Sequence, residues 1–160
     1  MRVFLDANVI VSAMATRGLC GDVLREILVR NQLVISENLL DEVKLVLQRK
    51  FGVPLNLVAD VIALLLDGAV MAIPTPSGEL AIPNSVDRAL VSAAINGKGD
   101  LFVTGDGELL SLSLTGPMNI VSPRVFWERA KDKRRKIAII SNSKFGNLFL
   151  CHRITKKWKV

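Results

Sequence analysis

Four carboxylates, each next to an apolar segment, are the residues of this sequence best suited to chemistry. They are Asp6 in "FLDANVIVSA", Glu42 in "SENLLDEVKLVL", Asp87 in "VDRALVSAA" and Asp106 in "LFVTGDGELL". If these acids converge, they raise each other's pKa values, and a divalent cation removes the repulsion. Oxygen ligands without cysteine or histidine favour Mg²⁺ or Mn²⁺ over zinc. The four acids therefore predict a site for one of these two cations.

Phosphodiester hydrolysis is the chemistry that such a set of acids suits. A bound divalent ion polarises a phosphoryl oxygen, lowers the pKa of an attacking water and steadies the leaving oxygen. Asp6 supports this interpretation, because an ionised carboxylate inside an apolar run costs free energy unless something pairs with it. Asp87 alone has a simpler explanation, since an acid in the first turn of a helix also complements the helix dipole.

Glu42 lies on a predicted helix whose apolar stripe decides which way the side chain points. The stripe runs through positions 39, 40, 43, 46 and 47. At about 100° per residue, Glu42 falls at the edge of the stripe and Asp41 falls nearly opposite to it. We therefore expect Glu42 to point toward the other acids and Asp41 toward solvent.

Short apolar runs alternate with longer helical patterns along the chain, and this alternation is typical of an α/β fold with a parallel sheet. Strands are predicted at residues 3–5, 33–35, 69–73, 101–103 and 119–121. Helices are predicted at about residues 21–30, 37–51, 55–66, 86–96, 108–110 and 123–130. Ser36, Asn84 with Ser85, and Ser122 precede three of these helices as N-cap residues. Residues 73–85, with three prolines and a glycine, are predicted to form a loop over the sheet edge.

The predicted sheet would bring two of the acids to one edge. Ligands of open α/β sheets bind outside the carboxyl ends of the strands. Asp6 ends the first strand, and Asp106 follows the fourth after a turn at Thr104 and Gly105. If the strand order runs outward from these two strands, they enclose a switch point and both acids face one crevice.

Charge divides the chain into two parts. Residues 1–130 hold 11 Lys or Arg against 14 Asp or Glu, a net charge of −3, whereas residues 131–160 hold 10 against 1, a net charge of +9. We predict one domain at residues 1–130 and a basic C-terminal extension at residues 131–160. A short basic run is usually only a solvated terminus, and the alternative is a role in binding RNA or another partner.

The remaining composition narrows the class of protein. Cys20 and Cys151 are far apart and lack metal-site spacing, so they are predicted to be small buried side chains and not a disulfide or part of a zinc cluster. A single histidine, His152, argues against sites built on several imidazoles. We find no apolar stretch of about 18 residues and no secretory signal. We therefore expect a cytoplasmic protein that does not bind membranes.

In order and context, the four acids resemble those of the PIN-domain ribonucleases, and most of all the VapC-like toxins of bacterial and archaeal toxin–antitoxin pairs. The resemblance covers about residues 1–130, and its most specific parts are the opening strand with Asp-x-Asn and the Thr-Gly-Asp with its following Leu-Leu. It implies a three-layer α/β/α sandwich around a parallel sheet of about five strands. It further implies a Mg²⁺-dependent endoribonuclease that acts on single-stranded or structured RNA, commonly as a homodimer silenced by a cognate antitoxin.

The resemblance assigns roles position by position, with the metal-binding and catalytic acids at Asp6, Glu42, Asp87 and Asp106. It makes Asn8 and Thr104 groups that orient these acids. Glu108 matches a position where many relatives carry a further acid, one methylene shorter. Two parts of the sequence depart from the pattern: the loop "IPNSVD" is poorer in aspartate than in close relatives, and the residues after 130 have no counterpart.

Three other classes were weighed against a ribonuclease. A catalytically weak or inactive PIN-fold module would hold RNA or a protein through the basic extension, and weakened metal binding would distinguish it. A receiver-like phosphotransfer domain would carry an early adjacent acid pair and a late lysine after a strand, and neither feature is evident. A dinucleotide-binding fold would carry Gly-x-Gly-x-x-Gly after the first strand, which this sequence lacks.

Overall fold

The computed structural model of this chain describes residues 1–75, 82–112 and 118–144, with side chains as far as residue 134. The strands are β1 (Arg2–Leu5), β2 (Gln32–Ile35), β3 (Val70–Met71), β4 (Leu101–Val103) and β5 (Asn119–Val121). The helices are α1 (Ala7–Ala15), α2 (Leu19–Arg30), α3 (Glu37–Phe51), α4 (Leu55–Leu66), α5 (Ser85–Asn96), α6 (Gly107–Leu110) and α7 (Pro123–Lys144). All five predicted strands are present, and the predicted bounds of α3 and α4 are confirmed.

The five strands form one parallel sheet in the order β3-β2-β1-β4-β5. The chain moves outward from β1 in one direction and outward from β4 in the other, so the predicted switch point lies between these two neighbouring strands. Because crossovers between parallel strands are right-handed, connections that run in opposite directions cover opposite faces of the sheet. The architecture is the α/β sandwich with a five-stranded parallel sheet that the resemblance implied.

The core lies around the two central strands. β1 and β4 pair in register, with Phe4 opposite Phe102. These two rings are fully buried and stack with their centroids 5.2 Å apart. Strands covered on both faces carry continuous apolar runs, which explains why β1 and β4 show no alternation of polar and apolar residues. The rigid central pair fixes the position of whatever follows the carboxyl end of each strand.

Helix α1 is not among the helices predicted from the sequence. The apolar run after β1 suggests a continued strand, but β1 ends at Leu5 and the helix begins at Ala7. Asp6 is the N-cap residue between them, and its side chain accepts a hydrogen bond from the Asn8 amide. Asp6 therefore starts a helix. The polar residues Asp6 and Asn8 are the only interruption of the apolar run, and they mark this helix start.

Other predicted boundaries need correction. Helix α2 begins at Leu19 and not at residue 21, and β3 is only two residues long. Ser85 is the first residue of α5, with Asn84 alone as its N-cap. Helix α7 continues past the predicted end at residue 130 to Lys144, because the charged run contains no glycine or proline to stop it.

The chain divides into two compact units close to the predicted domain boundary at residue 130. One unit comprises Met1–Glu128, and a second begins at Arg129, within α7. The division into a nuclease-like domain at 1–130 and an extension at 131–160 stays a prediction. Part of the predicted loop at 73–85 and most of the extension, including Cys151 and His152, lie outside the described residues. Cys20 is only half-buried, and burial raises the pKa of its thiol.

No described helix combines the length and the apolar character that crossing a lipid bilayer requires.

Candidate active site

Asp6 lies where the central strand pair ends. Its amide donates to the carbonyl of Val103 at 2.9 Å, which extends the pairing of β1 with β4 by one step. The side chain is only 5% exposed, and its Oδ2 accepts a hydrogen bond of 2.6 Å from the Thr104 hydroxyl. Its Oδ1 accepts from the Asn8 amide at 3.3 Å. These neutral donors compensate part of the cost of burying the carboxylate.

Thr104 connects the two acids at this edge. Its side chain is fully buried, and its hydroxyl oxygen accepts from the amide of Asp106 at 2.9 Å while it donates to Asp6. Asp106 is the N-cap of α6, and its Oδ1 accepts from the amides of Glu108 at 2.7 Å and Leu109 at 3.2 Å. One buried hydroxyl therefore links the carboxylate that follows β1 to the backbone of the acid that follows β4.

Glu42 reaches the same edge from α3. The helix begins at Ser36, whose hydroxyl accepts from the Leu39 amide at 3.3 Å. Glu42 is half-buried, and its Oε2 is a buried oxygen with no hydrogen-bond partner among the described residues. Burial raises the pKa of this carboxyl, and the charges of Asp6 and Asp87 raise it further. Glu42 therefore lies within the electrostatic reach of Asp6 and Asp87 and has an unsatisfied buried oxygen.

The neighbouring Asp41 points the other way, as the helical wheel predicts. It is exposed and forms an ion pair of 2.9 Å with Lys44, one turn along the same surface of α3. Of two adjacent acids in one helix, only Glu42 is directed toward the sheet edge.

Asp87 lies in the first turn of α5, which Asn84 caps by accepting from the Val86 amide at 2.9 Å. Burial raises the pKa of Asp87, followed by the charges of Asp106, Asp6 and Glu108, while a hydrogen bond from Asn84 lowers it. The acid is half-buried and lies within the electrostatic reach of the other strand-end acids. The dipole of α5 and the neighbouring carboxylates therefore act on Asp87 in opposite directions.

Arg88 is the residue of this region that the sequence analysis missed. Although it follows Asp87 directly, its guanidinium donates to the carbonyls of Ile82 at 2.9 Å and Pro83 at 3.2 Å. It therefore anchors the entry to α5 and does not neutralise the acids.

The four acids come from four different elements and meet with one sign of charge. Among the described residues, no basic side chain contributes to the pKa shifts of Glu42 and Asp87; the contributing charges are all carboxylates. Asp6, Asp87 and Asp106 lie at the N-termini of helices, where the positive end of the helix dipole stabilises negative charge. We name Asp6, Glu42, Asp87 and Asp106 the acid cluster.

The groups predicted to orient the acid cluster differ in how they take part. Thr104 contacts two acids through its hydroxyl, whereas Asn8 contacts Asp6 through its backbone amide and has an exposed side chain. Glu108 is exposed, and it holds Asp106 through its amide while its carboxylate raises the pKa of Asp87.

The donor set fits a hard divalent cation. The acid cluster supplies carboxylate oxygens alone, and the buried Glu42 Oε2 has no other partner among the described residues. In the same part of the chain, no three His, Cys, Asp or Glu side chains are close enough together to enclose a metal ion as they stand. A cation held by three or more of these acids would therefore need their side chains to move closer together.

The fold has a counterpart among solved structures. A chain in the crystal structure of VapBC2 from Rickettsia felis, bound to a DNA fragment from their promoter, superposes with a TM-score of 0.57. The two sequences are 16% identical, and the match covers 76% of this chain and 98% of that chain. No protein-family model and no curated protein sequence matches this chain. The likeness to VapBC2 therefore concerns the fold.

Proposed function

We propose that this protein is a metal-dependent endoribonuclease that hydrolyses RNA phosphodiester bonds and acts as the toxin of a toxin–antitoxin pair. The proposal combines the acid cluster with the VapBC2-like fold, because the acids lie at the carboxyl edge of the sheet where ligands of open α/β folds bind. The sequence resemblance to PIN-domain ribonucleases supports the same assignment.

One observation carries the proposal. Glu42 places a buried, unpartnered oxygen among carboxylates that raise its pKa, although an apolar side chain at that position would avoid the cost. Such an arrangement lowers the stability of the metal-free protein. A bound cation would make the arrangement favourable. Carboxyl groups whose pKa values are shifted in this way are typical of functional sites.

Asp6, Glu42, Asp87 and Asp106 would hold Mg²⁺ or Mn²⁺. When bound, such an ion polarises a phosphoryl oxygen and lowers the pKa of a water molecule. The protein's own contribution is positioning: Thr104 and the Asn8 amide hold both oxygens of Asp6, and the first amides of α6 hold one oxygen of Asp106. Among the described residues, no hydrogen bond occupies the second oxygen of Asp106 or Oε2 of Glu42.

A partner surface supports the proposed antitoxin and homodimer. Helix α4 has only two buried side chains, Val58 and Leu65, while Leu55 is 74% exposed. Between α3 and α4 lies a mainly apolar groove of about 390 Å³. Contiguous exposed apolar surface of this kind marks interaction sites in soluble proteins. An antitoxin segment or a second copy of the chain would cover it, and light scattering of the purified protein tests the second case.

The decisive experiment is cleavage of mixed RNAs by the purified protein with Mg²⁺ or Mn²⁺, and with a chelator as control. We expect endonucleolytic fragments only when metal is present. Intact RNA at all metal concentrations would contradict the proposed activity.

A catalytically weak RNA- or protein-binding module is the second candidate, favoured because no three acids among the described residues are close enough to enclose a metal ion as they stand. The two candidates differ in metal-linked stability. A cation that binds only the folded state should add about 2.7 kcal/mol to the free energy of unfolding at about 100 times its dissociation constant. A melting temperature that does not change with Mg²⁺ or Mn²⁺ would favour the binding module.

A further inference from the structure

The acid cluster poses a problem for any polyanionic substrate. Residues 1–128 hold 10 Lys or Arg against 14 Asp or Glu, a net charge of −4. Phosphates that approach this part of the chain are repelled by the cluster and gain little attraction from its surroundings. On net charge, the residues after 128 are therefore better suited to attract a nucleic-acid backbone.

The eight residues Arg129–Lys136, which we name the basic segment, carry the opposite charge. Six of the eight are Lys or Arg and one is Asp132, a net charge of +5. The segment is not an irregular terminus, because α7 continues through it as far as Lys144. Arg129, Lys131 and Lys133 are exposed. A regular helix thus presents a concentrated positive charge to solvent.

The spacing of the basic residues decides what kind of polyanion the segment fits. Helices that lie on membranes carry basic residues on one side and a wide apolar face on the other. Positions 129, 131, 133 and 134 are one or two residues apart, so each is turned by about 100° or 200° from the last. Positive charge is therefore spread over more than half of the helix circumference, which suits a flexible phosphate chain better than a flat lipid surface.

We propose that the basic segment is a binding site for the phosphate backbone of single-stranded RNA. It contacts phosphates through Arg129, Lys131, Lys133 and Arg134 without regard to base sequence. The choice of RNA over other nucleic acids rests on the proposed ribonuclease function. The segment supplies the affinity, and the acid cluster supplies the chemistry.

The test compares two variants of the full chain that lose the same charge. One combines Arg129→Gln, Lys131→Gln, Lys133→Gln and Arg134→Gln. The matched control combines Arg17→Gln, Arg49→Gln, Lys50→Gln and Lys98→Gln, which are exposed positions in loops or helix ends away from the acid cluster. Binding of a labelled single-stranded RNA is measured over a range of salt concentrations, with a chelator present so that no RNA is cleaved. The melting temperature of each variant shows that it is folded.

We expect the basic-segment variant to bind RNA at least about tenfold more weakly at low salt, with a slope of log affinity against log salt that is shallower by about 0.7 for each lost phosphate contact. The control variant should keep most of the wild-type affinity and slope. Equal loss in both variants, wild-type binding in the basic-segment variant, or binding of the wild type to anionic vesicles and not to RNA would each overturn the proposal.

The experiment distinguishes a failure of the proposed RNA-binding segment from a failure of the proposed ribonuclease activity. RNA binding without cleavage after metal is added supports the basic segment and contradicts the ribonuclease. Cleavage by the basic-segment variant with an unchanged KM contradicts the segment's role and leaves the ribonuclease in place.

Discussion

Two nearly buried carboxylates in this protein have opposite surroundings. Glu26 on α2 is 7% exposed and accepts from Arg30 at 2.7 Å, one turn along the same helix. Asp6 at the end of β1 is 5% exposed and accepts from a hydroxyl and an amide, while other carboxylates lie in its electrostatic neighbourhood. The first acid has a cation within its own helix, and the second has none among its described hydrogen-bond donors.

The contrast extends to the other acids of the two regions. On the helix surfaces, Asp22 pairs with Arg25 at 3.1 Å and Asp41 with Lys44 at 2.9 Å. Such exposed ion pairs contribute at most about 1 kcal/mol each to the free energy of unfolding, yet both of these acids are paired. At the carboxyl edge, where neutralisation would stabilise the fold most, Arg88 is directed to backbone carbonyls. Asp22, Glu26 and Asp41 are therefore each paired with a cation, whereas no acid of the acid cluster forms an ion pair among the described residues.

The largest expected effect comes from removing a charge of the acid cluster. Asp6→Asn or Asp106→Asn should lower metal-dependent RNA cleavage by more than about a hundredfold, the upper range for groups that only orient a ligand. The melting temperature in chelator should hold or rise, because the substitution relieves repulsion in the metal-free site. Cleavage rates and thermal melts of the same preparations measure both effects.

Glu26→Gln is the matched control, since it removes a carboxylate of similar burial that has a cation. It should leave cleavage unchanged and cost about 1 to 2 kcal/mol of stability, because the half-exposed Arg30 retains water when its partner is lost. If the Asp6→Asn variant lost as much stability as the Glu26→Gln variant and still cleaved RNA, the surroundings of Asp6 and Glu26 would not differ in function.

Two adjacent residues of α3 sharpen the comparison further. Glu42→Gln should cost at least about tenfold in cleavage, whereas Asp41→Asn should leave cleavage unchanged and remove only the surface pair with Lys44. Both changes remove one charge from one helix, so only orientation separates them. Similar activities of the two variants in a metal-saturated assay would mean that the face of α3 does not determine function.

Much of this geometry follows from local sequence patterns. The apolar stripe of α3 predicts the direction of Glu42, and the short apolar runs predict β1 and β4 with an acid after each. The N-cap at Ser36 is likewise a local effect, since its hydroxyl serves an amide three residues later.

Features that depend on distant contacts escape such patterns. The residues after Asp6 remain apolar in helix α1 because they are buried, so apolar content alone does not separate strand from helix there. The link from Thr104 to Asp6 spans 98 positions, and its existence depends on strands that pair only in the folded chain. Arg88 was missed for a related reason, because its acceptors are carbonyls, which carry no side-chain signal.

Thr104 gives a smaller, more specific test. Thr104→Val keeps the shape of a fully buried side chain but removes the hydroxyl that joins Asp6 to Asp106. We expect metal affinity or cleavage to fall by about 10- to 100-fold, as for other groups that orient metal ligands. Thr104→Ser keeps the hydroxyl and should restore most of the metal affinity, measured by calorimetry. Loss of stability without loss of metal affinity would show that the threonine is only structural.

The smallest expected effect is the pH dependence of stability, and it has opposite signs with and without metal. The pKa values of Glu42 and Asp87 are raised above their ordinary values of 4.5 and 3.8, so the folded protein binds protons more tightly than the unfolded chain. In chelator, their contribution is therefore lost as the pH rises from those ordinary values through the raised ones. With saturating Mg²⁺ or Mn²⁺, the ionised forms are favoured and the same contribution grows as the pH rises.

Other carboxylates titrate in this range, so the useful quantity is the difference in melting temperature between the wild type and Glu42→Gln. In chelator, Glu42→Gln should gain stability relative to the wild type as the pH rises toward neutrality, and this gain should reverse when metal is added. A difference that does not change with pH or metal would place Glu42 with the paired surface acids and not with the acid cluster.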